Sequence, residues 1–248
     1  MLRNAFFGIT SMQQSPTKRK SSVPTFTSES VSSMRRRFLN DGEQISPQEI
    51  RRLETDARAG VRAIAQAIRR RHLEDLHECR RLQTMLQFES KLVAQGFRWI
   101  AGVDEAGMAP LAGPVCAGAA ILPIGYTLRG LDDSKKISSD QRRSALATSI
   151  KRDAIAWAVG WTSVEEIDAI NIYQSGLLAM QRAVSALTQT PDYVLVDART
   201  IPDVTIPQDG IIRGDEQSLS IAAGAILAKT SRDALMSDLH AQYPGYGF

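Results

Sequence analysis

Cysteine, histidine and long apolar runs are all scarce in this 248-residue chain. Its two cysteines, Cys79 and Cys116, lie far apart without ligand-like spacing, which argues against a disulfide framework and against a zinc site. No apolar run is long enough to span a bilayer, and no secretory signal is visible. We therefore expect a globular protein with reduced thiols, built from one substantial domain and an appendage.

Acidic residues are nearly missing from the first forty positions, where Glu29 is the only one. The stretch is rich in Ser, Thr and basic residues, so we predict that residues 1–44 are disordered. The same bias is typical of organellar transit peptides. Two interpretations stay open: a mitochondrial transit peptide, or an extension without structural meaning on a cytoplasmic protein.

Charge is divided unevenly along the chain. Residues 1–100 carry 18 Lys and Arg against 10 Asp and Glu, whereas residues 101–248 carry 12 against 17. A basic appendage joined to a carboxylate-bearing domain suits a nuclease, because the basic part attracts phosphate. A solvated helical surface with a basic tail would give the same distribution.

Residues 45–96 have the pattern of a helical arm. Ser46, Pro47 and Glu49 form a helix start with a capping box. Apolar residues then recur at three- and four-residue steps, Gly60 is a candidate break, and a second helix is expected from about Arg71 to Ala94. The arginines of this arm either hold a nucleic-acid duplex or only solvate a hairpin packed on the next domain.

Three apolar, β-favouring runs each end in an acid. The run from Ile100 leads into Asp104 and Glu105, the run from Val194 into Asp197, and the run from Ile211 into Asp215. Ligand sites collect at the carboxyl ends of strands in sheets that are covered by helices. Clustered carboxylates repel one another unless a cation neutralises them, and oxygen ligands suit Mg²⁺ or Mn²⁺.

These four carboxylates therefore predict a two-metal phosphodiester hydrolase. Solvated acids in exposed turns, or an acidic cluster without metal, are the alternatives. The chain from 97 to 248 starts with strands and then alternates helix and strand, which indicates an α/β fold with a mixed five-stranded sheet flanked by helices.

The segment from Gly102 to Pro123 resembles the signature of ribonuclease HII, the type 2 ribonuclease H. Further matches follow in the family's order: Leu131 to Lys136, Glu166 to Asp168, Met180 to Val184, Tyr193 to Asp197, Gly214-Asp215, and Ser220 to Asp233. The resemblance runs from about Ile45 to the last residue, and it implies a ribonuclease H-like catalytic domain at 97–248 that follows the helical arm.

The resemblance implies an endonuclease that cuts the RNA strand of RNA/DNA hybrids and cuts at ribonucleotides embedded in duplex DNA. Its implied metal ligands are Asp104, Glu105, Asp197 and Asp215, which would hold two Mg²⁺ or Mn²⁺ ions. Ser134, Lys135 and Lys136 are expected near the substrate, with a lysine on a phosphate; a solvated turn is the alternative. Asp233 is expected to pair locally with Lys229. We expect a monomer and no membrane partner.

The match departs from the family at the turn after the acidic pair, where a Gly-Arg-Gly sequence is expected to read the 2′-hydroxyl. The turn here is Gly107-Met108-Ala109, so no guanidinium is available from it and Ala109 adds a methyl group. The chain also ends before helices that are expected in the family, so we interpret it as C-terminally truncated.

These departures keep two alternatives open beside the active nuclease. One is a catalytically weakened nucleic-acid-binding homologue with poor ribonucleotide selectivity. The other is a metal-free scaffold that binds a protein partner through its arm.

Overall fold

The computed structural model describes residues 26–247, which divide into two compact units, one ending at His72 and the other beginning at Leu73. The division falls within a helix, α3 (Ala59–Met85), and not at the predicted boundary between residues 96 and 97. The predicted transit peptide and the first part of the predicted disordered stretch lie outside the described residues. Among residues 26–247, no helix has the length and hydrophobicity that a membrane span requires.

Helical structure begins earlier than predicted. A 3₁₀ turn (Phe26–Ser28), α1 (Val31–Arg35) and a π-helical turn (Arg36–Asn40) precede the arm, so the prediction of disorder through residue 44 is wrong for this part of the chain. Their apolar residues Met34 and Phe38 are buried together with Ile64 of α3. Burial of a few large apolar side chains therefore orders a segment whose composition is otherwise polar.

The helix α2 (Pro47–Glu54) begins as predicted, with Ser46 and Glu49 forming a complete capping box. The break after it falls at residues 55–58, where Asp56 accepts the backbone N–H of Arg58, and Gly60 lies in the first turn of α3. Two of the arm's arginines are paired locally: Arg58 binds Asp56, and Arg69 pairs with Glu54.

The second unit starts with the last part of α3 and with α4 (Gln87–Ala94). Leu82 and Met85 are buried in the same cluster as Leu131 and Ile226 of the sheet unit. Glu89 accepts hydrogen bonds from the Ser220 amide at 2.9 Å and from the Ser218 hydroxyl at 2.7 Å. Residues 73–96 thus pack into the core of the sheet unit.

Five strands form one mixed sheet, as predicted. The strands are β1 (Ile100–Ala106), β2 (Val115–Ile121), β3 (Ala156–Thr162), β4 (Tyr193–Asp197) and β5 (Gln208–Ile211). Their order is β3-β2-β1-β4-β5, with β1 antiparallel to β2, β2 antiparallel to β3, and the other pairs parallel. Parallel pairing of β1 with β4 brings the carboxyl ends of both strands to the same edge.

Helices cover both faces of the sheet. They are α5 (Asp140–Asp153), α6 (Val164–Ile170), α7 (Ile172–Ser185), the short α8 (Gly214–Gln217) and α9 (Leu219–Gln242). Val103 and Val196 pack with Met180 of α7, whereas Ile100 and Leu195 pack with Ile221 of α9. Residues 219–242 form a single long helix, α9.

Glycines let α9 lie directly against the sheet. A Cβ atom at Gly102 would be 1.9 Å from the carbonyl carbon of Ser220, and one at Gly118 would be 2.3 Å from the carbonyl oxygen of Gly224. No side chain fits at these distances, so the helix backbone must move if either glycine is replaced. This close approach fixes the height of α9 over the strand that carries Asp104.

We predict that Gly102→Ala lowers the free energy of unfolding by at least about 2 kcal/mol, because overpacking forces backbone shifts. Gly245→Ala is the matched control, since a Cβ atom there meets nothing within 4 Å. Urea denaturation measures both, and equal stability of the two variants would contradict the assignment of this contact.

Candidate active site

The carboxylates of Asp104, Glu105 and Asp197 come together at the carboxyl ends of β1 and β4. Val103 pairs with Val196 in the parallel register, so the next residues, Asp104 and Asp197, stand side by side. One carboxylate oxygen from each of the three acids lies within 4.8 Å of the others. The structure therefore assembles three of the four predicted acids into a group of metal-ligand dimensions.

Asp104 is buried, with 6% of its surface exposed, and its Oδ1 accepts the Glu105 amide at 2.7 Å. Burial raises its pKa well above the usual range, and the charges of Glu105 and Asp197 raise it further. Asp197 is fixed from another element, because its Oδ1 accepts the Gly214 amide at 2.6 Å. Backbone donors thus hold two of the carboxylates in place.

Asp215, in the first turn of α8, lies on the flank of this group rather than within it. Burial raises its pKa to about 6, with Asp133 and then Asp197 adding to the effect. The Lys135 ammonium lies 4.0 Å from its Oδ2. Asp133, which sequence reasoning missed, therefore belongs to the acidic surroundings of the site.

Glu105 points to the other side of the cluster. Burial raises its pKa, while the guanidinium of Arg199, 3.8 Å from Oε1, opposes that rise. Its Oε2 is buried without a hydrogen-bond partner among residues 26–247. An orphaned carboxylate oxygen beside two further acids fits a hard divalent cation, since Mg²⁺ and Mn²⁺ prefer oxygen ligands.

The predicted substrate loop contains one exposed lysine and one engaged lysine. Ser134 is buried, and the Lys136 ammonium binds Glu216 at 3.0 Å and Asp132 at 3.6 Å. The Lys135 side chain is 83% exposed and faces Asp215. Partial desolvation lowers the pKa of Lys135, but the combined charges of the surrounding acids, Asp215 the largest among them, outweigh it and the pKa is raised. Lys135 is therefore the more exposed and the less closely paired of the two lysines in this loop.

The turn at Gly107-Met108-Ala109 rests on α9. Gly107 has φ 104°, and a Cβ atom there would lie 2.5 Å from Nε of Arg232. Arg232 is buried and donates to the carbonyl oxygens of Pro114 at 3.0 Å and Ala112 at 2.7 Å. Ala109 is exposed and has no positive φ, so its methyl group is accommodated without backbone strain.

Two positioning side chains were missed from the sequence. Arg232 supports the turn from α9, and Arg199 approaches Glu105 from the loop after β4. The sequence offered one signal for Arg199, its position two residues after Asp197. The direction of its side chain depends on the loop conformation, which the sequence pattern does not show. The local pair between Lys229 and Asp233 forms as predicted, at 2.6 Å.

We predict that, without divalent cations, the free energy of unfolding falls as pH rises from about 5 to about 7. The pKa of Asp215 is raised to about 6 in the folded chain, so the folded state keeps a proton that the unfolded chain has already released. Urea denaturation with a chelator measures this fall, and Mn²⁺ at about pH 7.5 should reverse it. Asp215→Asn should show a smaller fall, and a pH-independent wild type would contradict the account.

Comparison with solved structures supports the fold. The ribonuclease H2 from Pyrococcus horikoshii superimposes with a TM-score of 0.51 at 23% identity, covering 58% of this chain and 76% of that chain. At this identity the likeness concerns the fold alone. It agrees with the predicted ribonuclease H-like architecture of a mixed sheet between helices.

Sequence comparisons are more specific. The family model for ribonuclease HII matches residues 101–248, and the model for the ribonuclease HII N-terminal domain matches residues 30–93. A ribonuclease HII of Myxococcus xanthus is 55% identical over 217 residues, covering 88% of this chain and 74% of the relative. One of Anaeromyxobacter is 52% identical over 219 residues, covering 88% and 69%. The chain therefore belongs to the ribonuclease HII family, the metal-dependent type 2 ribonucleases H.

Proposed function

We propose that this chain is an endonuclease that cuts the RNA strand of RNA/DNA hybrids and also cuts at single ribonucleotides embedded in duplex DNA. The observation that carries the proposal is the convergence of Asp104, Glu105 and Asp197 within 4.8 Å, with Asp215 on their flank. Family membership supports the hybrid substrate. The embedded ribonucleotide rests on the turn at Gly107, which lies directly beyond the acidic pair on β1.

Asp104, Glu105, Asp197 and Asp215 are the residues that would hold two divalent cations, Mg²⁺ or Mn²⁺. When bound, such cations activate water and stabilise the leaving oxygen of a phosphodiester. The protein's part is to keep the carboxylates in place through the amides of Glu105 and Gly214. Prepositioned ligands need no rearrangement when the substrate arrives.

Lysine side chains of the protein would contact the phosphate. Lys135 extends from the loop before α5 toward Asp215, so its ammonium lies beside the cluster and in solvent. A phosphodiester placed at the carboxylates would meet this ammonium on that side. Lys136 is held by Glu216 and Asp132 and is less free to move to a phosphate.

The test is cleavage of a DNA duplex that carries one ribonucleotide, with Mg²⁺ and then with Mn²⁺. We predict a cut only at the ribonucleotide, lowered at least about 100-fold in Asp104→Asn, because removing a ligand charge forfeits several kcal/mol of transition-state stabilisation. An all-DNA duplex is the control.

Failure to cut in either metal, with duplex binding retained, would contradict the proposal and favour a nucleic-acid-binding homologue. One specific observation favours that second function. Met108 stands in the turn that follows the acidic pair, so this turn carries no cation.

We further predict that Lys135→Met weakens duplex binding and reduces the slope of log affinity against log salt by about 1, as loss of one phosphate contact should. Lys136→Met is the matched variant, differing by one position and already paired within the protein. Fluorescence anisotropy in Ca²⁺ across a salt series measures both. Equal slopes for the two variants would contradict the distinction between these lysines.

A further inference from the structure

Arg199 is held beside Glu105 by an unusual piece of backbone. Ala198, directly after β4, has φ 55°, a left-handed conformation that is unfavourable for an alanine. Its amide donates to the carbonyl oxygen of Ile211 at 2.8 Å. Gly210 on β5 lies so close that a Cβ atom there would be 2.5 Å from the Arg199 carbonyl oxygen. The fold therefore directs the chain at Arg199 back over the end of the sheet.

The Arg199 side chain is enclosed but only partly paired. Its Nη1 lies 3.8 Å from Glu105 Oε1, and its guanidinium stacks on the Tyr173 ring at 4.9 Å from the ring centre. Nη1 of Arg199 and Oε2 of Glu105 are both buried without a hydrogen-bond partner among the described residues. Leaving a buried donor and a buried acceptor without hydrogen-bond partners is costly. Their presence side by side therefore indicates that they have a role when the substrate is bound.

Met108 shares this position. At Gly176 of α7, a Cβ atom would lie 2.8 Å from Met108 Sδ and 3.2 Å from Arg199 Nη1. The thioether and the guanidinium thus occupy neighbouring space over one glycine. Arg199 consequently contacts two parts of the site: the carboxylate of Glu105, and the surroundings of the turn at residues 107–109.

We propose that Arg199 is a positioning residue for the cleavage reaction, supplying to Glu105 and to the Met108 turn the guanidinium that the turn itself lacks. This inference rests on the proposed function. Arg199 acts through Glu105, whose carboxylate is repelled by Asp197 and is drawn to its own side by the guanidinium. It also packs beside Met108, so the backbone of the turn keeps its place against the substrate.

The role differs from that of Lys135 on the opposite flank. Lys135 is exposed and free to meet a phosphate, whereas the Arg199 side chain is only 23% exposed and its Nη1 is buried. Loss of Arg199 should therefore disturb the reacting geometry more than the initial capture of the duplex. In kinetic terms, kcat falls while KM changes little.

The experiment uses the full chain and the DNA duplex with one ribonucleotide. The variants are Arg199→Met, Arg199→Lys, and the exchange Met108→Arg with Arg199→Met, which keeps one guanidinium and one thioether in the shared space. Arg152→Met is the matched control, because Arg152 is an exposed arginine paired with Asp153 on α5 and lies outside the site. Thermal unfolding of each variant shows that it is folded.

We expect Arg199→Met to lower kcat about tenfold with KM within about twofold, and Arg199→Lys to recover part of kcat. The exchange variant should recover kcat to within about threefold of wild type, because a guanidinium again reaches Glu105. Arg152→Met should match wild type. If Arg199→Met does not fold, the kcat and KM of the Arg199→Lys variant and of the exchange variant, relative to wild type, test the proposal instead.

The inference is overturned if Arg199→Met behaves as Arg152→Met does, or if the exchange variant is as slow as Arg199→Met. An increase in KM alone would also overturn it, since it would make Arg199 a binding contact. These results are ratios between variant and wild type. An inert wild type on this duplex in both metals is a separate result that removes the proposed function, and this inference with it.

Discussion

Repulsion between carboxylates at the end of β1 and β4 is the constraint on which the rest of this structure depends. Burial and mutual charge raise the pKa values of Asp104, Glu105 and Asp215 together. The protein opposes this repulsion with backbone amides and with one cation on each flank, Lys135 and Arg199. A divalent cation would neutralise the negative charge that remains. The carboxylate repulsion that makes this site costly to fold therefore also makes it suited to a metal ion.

The fold surrounds this edge with supports that come from distant parts of the chain. Glycine at position 102 lets α9 lie on β1, and the same helix carries Arg232 beneath the turn that follows the acids. Glu89, from the end of the helical segment, holds the start of α9. Packing on one face of the sheet thus determines where the turn and the carboxylates stand.

The acids at the strand ends could be predicted from the sequence, whereas the side chains that surround them, Arg199 and Asp133, could not. Three apolar runs ending in acids predicted the meeting of Asp104 with Asp197, because parallel strands bring like ends together. The position of Arg199 depends on the left-handed backbone of Ala198, and the position of Asp133 depends on a loop. Neither feature leaves a periodic pattern in the sequence. Residues 26–40 were mistaken for disorder because their few apolar anchors, among them Met34, are diluted by Ser and Arg.

The central claim is that the acidic group is a site for divalent cations, and Mn²⁺ binding followed by electron paramagnetic resonance tests it most directly. We predict binding to the wild type and its loss in Asp104→Asn, while Glu166→Gln, which alters a partly exposed acid paired with Arg182, binds as the wild type does. Mn²⁺ binding of equal strength in Asp104→Asn would contradict the account, because the ion would then lie elsewhere.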